Sequence, residues 1–291
     1  MQVKAVAAEF AENGRMLGTT LLIDLPPPAP VPRGISRAPA LAVFLPKEHG
    51  SWSLALEPLA LGLLAAPSAA GPALATAALA GFLSRRPLTA AFLADSAERR
   101  RPARLALGLL GLLAVAGLME AGLIGGPTRL WPLLLAAPLG GLFVYFDFQK
   151  VTRAASAELV GCATFAFLPA ALASLAGWST PAALALTAVA LARSIPTVLT
   201  VRTYLRLEKQ QQPDPVVPLL SSGLALGGLG LLASFQLVPW LAAGFMALLL
   251  LRTGWLVSAH RPSLPAKRLG LIEALLGLAY ISTVALAYRA L

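Results

Sequence analysis

From Leu41 onward the chain alternates long apolar runs with short stretches rich in arginine and lysine. Nine runs can be drawn, over residues 50–66, 70–84, 104–121, 129–146, 155–176, 180–193, 216–236, 238–256 and 269–288. A helix rises about 1.5 Å per residue, so most of them can cross an apolar core of about 30 Å. The pattern predicts an all-α polytopic membrane protein with about nine transmembrane helices. The second and sixth runs are short, which predicts helices that stop early and leave loops dipping into the bilayer. Small residues recur, as in Gly108-Leu109-Leu110-Gly111 and Gly227-Gly228-Leu229-Gly230. Such faces let helices approach closely where lipid removes the hydrophobic drive to associate.

Residues 1–40 break the pattern. They are polar or proline-rich, include the run Leu25-Pro26-Pro27-Pro28-Ala29-Pro30, and hold no sustained periodicity. No basic residue leads an apolar segment there, as it would in a cleavable signal peptide. A disordered cytoplasmic tail is expected, or else a translation start placed too early, with Met16 the alternative. Residues 41–291 then form the transmembrane domain.

Composition agrees with the pattern. The chain is 57% hydrophobic and 12% charged, against about 25% charged in ordinary soluble domains. A soluble globule of this size cannot be covered with so few polar residues. The formal net charge of +10 is spread over loops rather than gathered on a soluble module, so no nucleic-acid partner is expected. The partner is the lipid bilayer. One cysteine and two histidines exclude a disulfide framework and any cysteine-ligated zinc or iron–sulfur site within one chain.

The charge pattern also orients the chain. With the N-terminus cytoplasmic, the cytoplasmic loops are 84–104, 147–155, 194–215 and 252–268. Of the 23 lysines and arginines, all but Arg129 and Arg289 fall in the tail, these loops or the helix ends that border them. That bias follows the positive-inside rule and supports an odd number of crossings. With the N-terminus cytoplasmic, an odd number of crossings is expected to put the C-terminus on the outer side of the membrane.

Charge within a membrane costs about 2.5–3.5 kcal/mol at a helix centre on insertion scales, and so points to function. Glu57, Glu158 and Glu273 each lie within about two turns of the cytoplasmic end of their helix, and Glu120 lies at the opposite end of its own. A cytoplasm-facing cavity lined by glutamate and arginine accounts for that layout. Pairing of each glutamate with a loop arginine to fix helix packing accounts for it equally, and snorkelling is a third reading.

The stretch Leu45-Pro46-Lys47-Glu48-His49-Gly50-Ser51-Trp52 opens the first helix. Pro46 stops the helix from extending backwards, Ser51 suits a cap, and Trp52 suits the headgroup interface. His49 is either a proton donor or acceptor near neutral pH or a hydrogen-bonded structural residue. Two further segments resemble one another, Ser84-Arg85-Arg86-Pro87 and Arg193-Ser194-Ile195-Pro196, the second running on to Arg202 and Arg206. Each sets arginine at the expected end of a short helix with proline close behind, and Arg202 and Arg206 share a helical face. Guanidinium forks match phosphate or carboxylate, so these arginines form an anion clamp or serve only to orient the chain. The chain lacks a Walker A loop, His-Glu-x-x-His, Gly-x-Ser-x-Gly and a dinucleotide fingerprint in a βαβ setting. Cys162, beside Gly161, reads as packing.

The run Pro46 to Trp52, the Arg85-Arg86-Pro87-Leu88 segment and the stretch from Arg193 to Arg202 resemble the YwiC-like family of bacterial membrane proteins, over roughly residues 41–290. Nine helices with polar segments after the second and sixth bear a more distant likeness to UbiA-type intramembrane prenyltransferases. That likeness implies a UbiA-like bundle and an isoprenoid substrate. In those enzymes Asp-rich motifs hold Mg²⁺ and a prenyl diphosphate, whereas here the corresponding positions carry Arg85, Arg86, Arg193 and Arg202, with Asp95 the nearby acid. Magnesium wants carboxylate oxygens, so no metal site is expected and the arginines would hold an anionic headgroup directly. The expected function is binding or modification of an anionic isoprenoid or lipid. Arg85, Arg86, Arg193, Arg202 and Arg206 would bind it, and Glu48, His49, Glu57, Glu158 and Glu273 would supply polar contacts or proton transfer. A small-anion or metabolite transporter and a membrane scaffold are the alternatives.

Overall fold

The computed structural model describes residues 49–151 and 154–290, with side chains from Trp52 onward. The expected tail over residues 1–40, Glu48 and the side chain of His49 lie outside the described residues.

Among the described residues the chain is helical throughout, with ten α-helices. They are α1 (His49–Ala65), α2 (Gly71–Leu93), α3 (Ala97–Gly125), α4 (Trp131–Phe148), α5 (Ala155–Phe165), α6 (Phe167–Leu175), α7 (Thr180–Glu208), α8 (Val216–Ser234), α9 (Trp240–Val257) and α10 (Ala266–Arg289). A short 3₁₀ turn, Pro127–Leu130, leads into α4. Helices α5 and α6 run on as one apolar span, Ala155–Leu175. Pro169, in the first turn of α6, has no N–H to give to the Phe165 carbonyl, and the helix breaks just before it. The described residues thus form nine helical segments. Seven are long and apolar enough to cross a membrane, and Trp52–Ala65 is a shorter apolar helix. The protein is a multi-pass α-helical membrane protein.

Two of the expected boundaries are corrected. Helix α2 continues through Arg85, Arg86 and Pro87 to Leu93, and α7 continues through Arg193, Pro196 and Arg202 to Glu208. The segments read as loops are helix, and neither helix is short. Proline is tolerated inside a membrane helix where hydroxyls and neighbouring helices take up the disturbed backbone. In α7 the hydroxyls of Ser194, Thr197 and Thr200 donate to the carbonyls of Ala190, Arg193 and Pro196. In α2 Thr89 donates to Arg86.

Two large apolar clusters make up most of the core, with a small third one at Tyr204, Leu256 and Leu269, and α1 and α6 contribute to both large ones. One joins Leu61 to Leu186, Val189, Met246, Leu249, Tyr280 and Val284. The other joins Leu59 to Leu74, Phe82, Phe143, Phe165 and Leu172. Every residue from Leu168 to Leu175 is buried, so α6 is the central post of the bundle. Trp52 stands edge-on to Phe82, with ring centroids 5.4 Å apart.

Close helix approach occurs at glycines other than those expected. A Cβ at Gly62 would lie 2.8 Å from the Pro169 Cα, at Gly117 2.7 Å from the Ala73 carbonyl oxygen, and at Gly161 2.8 Å from the Phe143 ring. These three let α1 meet α6, α3 meet α2, and α5 meet α4. Gly108, Gly111, Gly227, Gly228 and Gly230 have nothing within 4 Å. Their spacing marks small residues, but those residues face outward.

Candidate functional site

Arg193 lies near the middle of α7, thirteen residues beyond Thr180, or about 20 Å along the helix. At 3% exposure it is a buried cation inside an apolar bundle. Such a charge persists only where other groups answer it. Its Nη2 donates to the Glu273 backbone carbonyl at 2.8 Å, and its Nη1 donates to the Thr197 hydroxyl. Nη1 lies 3.6 Å from Glu273 Oε2, and Nε lies 3.8 Å from Glu57 Oε2. The other carboxylate oxygen of Glu273 accepts from Nη2 of Arg252. Glu57, Arg193, Glu273 and Arg252 therefore form one row drawn from α1, α7, α10 and α9. Its formal charges cancel.

Hydrogen bonding in the row is incomplete. Nε of Arg193, Nε of Arg252 and Oε2 of Glu273 are buried without a hydrogen-bond partner among the described residues. Arg193 meets both carboxylates at ion-pair distance, 3.6 Å to Glu273 and 3.8 Å to Glu57, too long for hydrogen bonds, while Glu273 is also hydrogen-bonded to Arg252. Close packing brings Glu57 to α10, where its carboxylate fills the space that a side chain at Gly277 would need.

Two further pairs stand apart. Arg202, nine residues beyond Arg193 on α7, donates to Glu158 at 2.7 Å, and both side chains are partly exposed. Arg85 grips Asp147 bidentately at 2.7 and 2.6 Å, and its guanidinium lies 3.6 Å over the Phe143 ring. A planar fork held by a carboxylate and covered by an aromatic face is a strong arrangement for arginine.

Of the expected site residues, the fold brings Glu57, Arg193 and Glu273 together. Glu158 joins Arg202 instead, and Arg85 joins Asp147, so the arginines do not converge as a single clamp. All lie within helices, and Arg85, Arg193 and Arg202 face carboxylates. Arg86 is half-buried with no ion pair among the described residues, and Arg206 is exposed. Asp95, the acid expected near Arg85, is exposed, and Asp147 takes its place. Arg252 and Asp147 were not anticipated as site residues. Each had a signal, for Arg252 lies among Leu248–Leu251 and Leu256, and Asp147 lies between Phe146 and Phe148. Among the described residues no three histidine, cysteine or acidic side chains gather to hold a metal ion.

The motif that opens α1, the Arg85 segment and the partners Asp147 and Glu158 all fall in the first two-thirds of the chain. Residues 45–173 match the YwiC-like protein family model. The YwiC-like stretch supplies Glu57, Arg85, Asp147 and Glu158. Arg193, Arg202, Arg252 and Glu273 come from the chain beyond it. The resemblance read over residues 41–290 is thus shown for residues 45–173. No curated protein and no solved structure matches the chain.

Proposed function

We propose that this YwiC-like membrane protein binds an anionic amphiphile, an isoprenoid or lipid phosphate taken from the cytoplasmic leaflet, at the row formed by Glu57, Arg193, Glu273 and Arg252. One observation carries the reading. The Glu273 carboxylate is hydrogen-bonded to Arg252, whereas the buried Arg193 has both carboxylates beyond hydrogen-bond distance, Glu273 at 3.6 Å and Glu57 at 3.8 Å, with its Nε unpartnered. Guanidinium forks favour bidentate phosphate oxygens. An incoming phosphate monoanion takes the place of Glu57 on Arg193 as the displaced carboxylate picks up a proton, which keeps the row neutral. The partly exposed Arg202–Glu158 pair lies further along α7 toward the cytoplasm in this orientation, at the entrance to the row. Glu48 and His49 precede Glu57 by nine and eight residues in the sequence, and the reading gives them proton transfer to a bound headgroup. The reading keeps the amphiphile of the UbiA-type likeness without its magnesium–diphosphate chemistry. Transport is less well supported, since the charged residues at the opposite end are the exposed Glu120, Arg129 and Arg289 among the described residues.

The test is native mass spectrometry of the purified protein with polyprenyl phosphate, polyprenyl diphosphate and anionic phospholipid, with and without Mg²⁺. Binding of one class is expected, weakened at least about ten-fold in Arg193→Gln and Arg252→Gln and kept or tightened in Glu57→Gln, in line with the worth of one charge-assisted contact. Absence of binding by the wild-type protein, or full binding by Arg193→Gln, would overturn the reading.

A further inference from the structure

The strongest feature outside the row is the start of α3. Glu98-Arg99-Arg100-Arg101-Pro102-Ala103-Arg104 sets four arginines in its first two turns, all exposed. The helix's own field disfavours cations at this end. Like charges four residues apart, as at Arg100 and Arg104, repel one another. Elsewhere in the bundle Arg85, Arg193, Arg202, Arg252 and Arg261 all meet carboxylates. None of these four arginines has an ion pair among the described residues. Arg100 donates its Nε to the Ala94 carbonyl, which fixes its stem and leaves the fork ends uncommitted.

Ala97, Arg100, Arg101, Arg104 and Leu105 border a shallow, open recess in the surface around them. Leu105 begins a stripe, Leu105, Leu109, Leu112, Met119 and Leu123, in which each side chain is at least 63% exposed. Its spacings of three, four and seven keep it on one side of the helix. With 29 residues, α3 is about 43 Å long, longer than an apolar core of about 30 Å. With the leucine stripe in the core, the arginines stand at headgroup level.

We infer that the recess at Arg100, Arg101 and Arg104 is a binding site for an anionic phospholipid of the adjoining leaflet, with its phosphate in the guanidinium forks and its acyl chains along the Leu105–Leu123 stripe. The site is independent of the buried row, since α3 supplies none of the row's residues. The bound lipid offsets the repulsion that the sequence builds into this helix end.

The experiment reconstitutes the full chain in nanodiscs of phosphatidylcholine containing phosphatidylglycerol or cardiolipin, then counts retained lipid by native mass spectrometry. R100Q/R101Q/R104Q is compared with R206Q/K267Q/R268Q, which removes the same charge from other exposed positions at the same end. The α3 variant is expected to lose retained anionic lipid by at least about ten-fold while the charge-matched control keeps it, at the scale of basic residues acting near an anionic surface. If the triple variant does not accumulate, R101Q/R104Q gives the same comparison with a smaller loss. Equal loss in the α3 variant and the control would overturn the inference, as would no loss in the α3 variant or no preference for anionic lipid in the wild type.

Discussion

Glu273 is the member of the buried row whose removal should cost most. It faces both Arg193 and Arg252, with Arg193 Nη1 at 3.6 Å and its other oxygen accepting from Arg252. Two unit charges near 4 Å interact by about 4 kcal/mol at an effective dielectric constant of about 20. Glu273→Met deletes two such attractions and leaves two buried cations with Glu57 alone. Water cannot reach the pair freely, and removing one partner of a buried ion pair costs about 3–5 kcal/mol. Glu57→Gln should cost less, about 1 kcal/mol, because Arg193 keeps Glu273. The decisive variant is Arg252→Met/Glu273→Met, which leaves Arg193 facing Glu57 and restores neutrality. It should regain at least about half of the loss, since apolar replacement of a whole buried pair is often neutral. Steric trapping in bicelles measures these differences at equilibrium. A Glu273→Met protein within about 0.5 kcal/mol of wild type, or a double variant weaker than the single, would refute the electrostatic account.

Three other outcomes follow from the packing. Gly277→Ala should destabilise by about 1–3 kcal/mol by pushing Glu57 from its place, whereas Gly228→Ala, with open space around it, should be neutral or slightly stabilising; paired thermal unfolding curves separate the two. Arg85→Met should leave Asp147, with 7% side-chain exposure, as an uncompensated charge and cost about 3–5 kcal/mol, while Arg85→Met/Asp147→Leu should be milder, as steric trapping would show. Tyr204 donates to the Pro262 carbonyl and accepts from the Leu264 N–H, each at 2.7 Å; Tyr204→Phe should free residues 258–265, read as faster amide exchange there and little change in α7.

Hydropathy located the passes well where charge marks the end of a helix. Runs drawn at 216–236 and 238–256 became α8, Val216–Ser234, and α9, Trp240–Val257. It failed at α2 and α7 for one physical reason. A local window treats an arginine as a residue that must reach water, but Arg85 and Arg193 are answered by Asp147 and Glu273, 62 and 80 residues away. At the level of the pair those positions carry little net charge, and the helix runs on through them. The same blindness hid Arg252, whose role depends on α10. Glycine spacing failed differently, since smallness is legible in one dimension and the direction a residue faces is not. The three acids at membrane depth were legible, because charge among apolar residues is conspicuous whatever it faces.

The row also has a consequence for how the chain is made. Its members come from the first described helix and from the last, so α1 enters the bilayer with Glu57 long before α10 brings Glu273. At about 5–20 residues per second, the roughly 200 intervening residues take some 10–40 seconds to synthesise. Arg193 arrives in between, and until α10 is made it has only Glu57 to face. A ribosome that stops before α10 therefore leaves a cation in the bilayer with half its partners, a charge imbalance that quality-control proteases can recognise. Synthesis of α10 and neutralisation of the row are the same event.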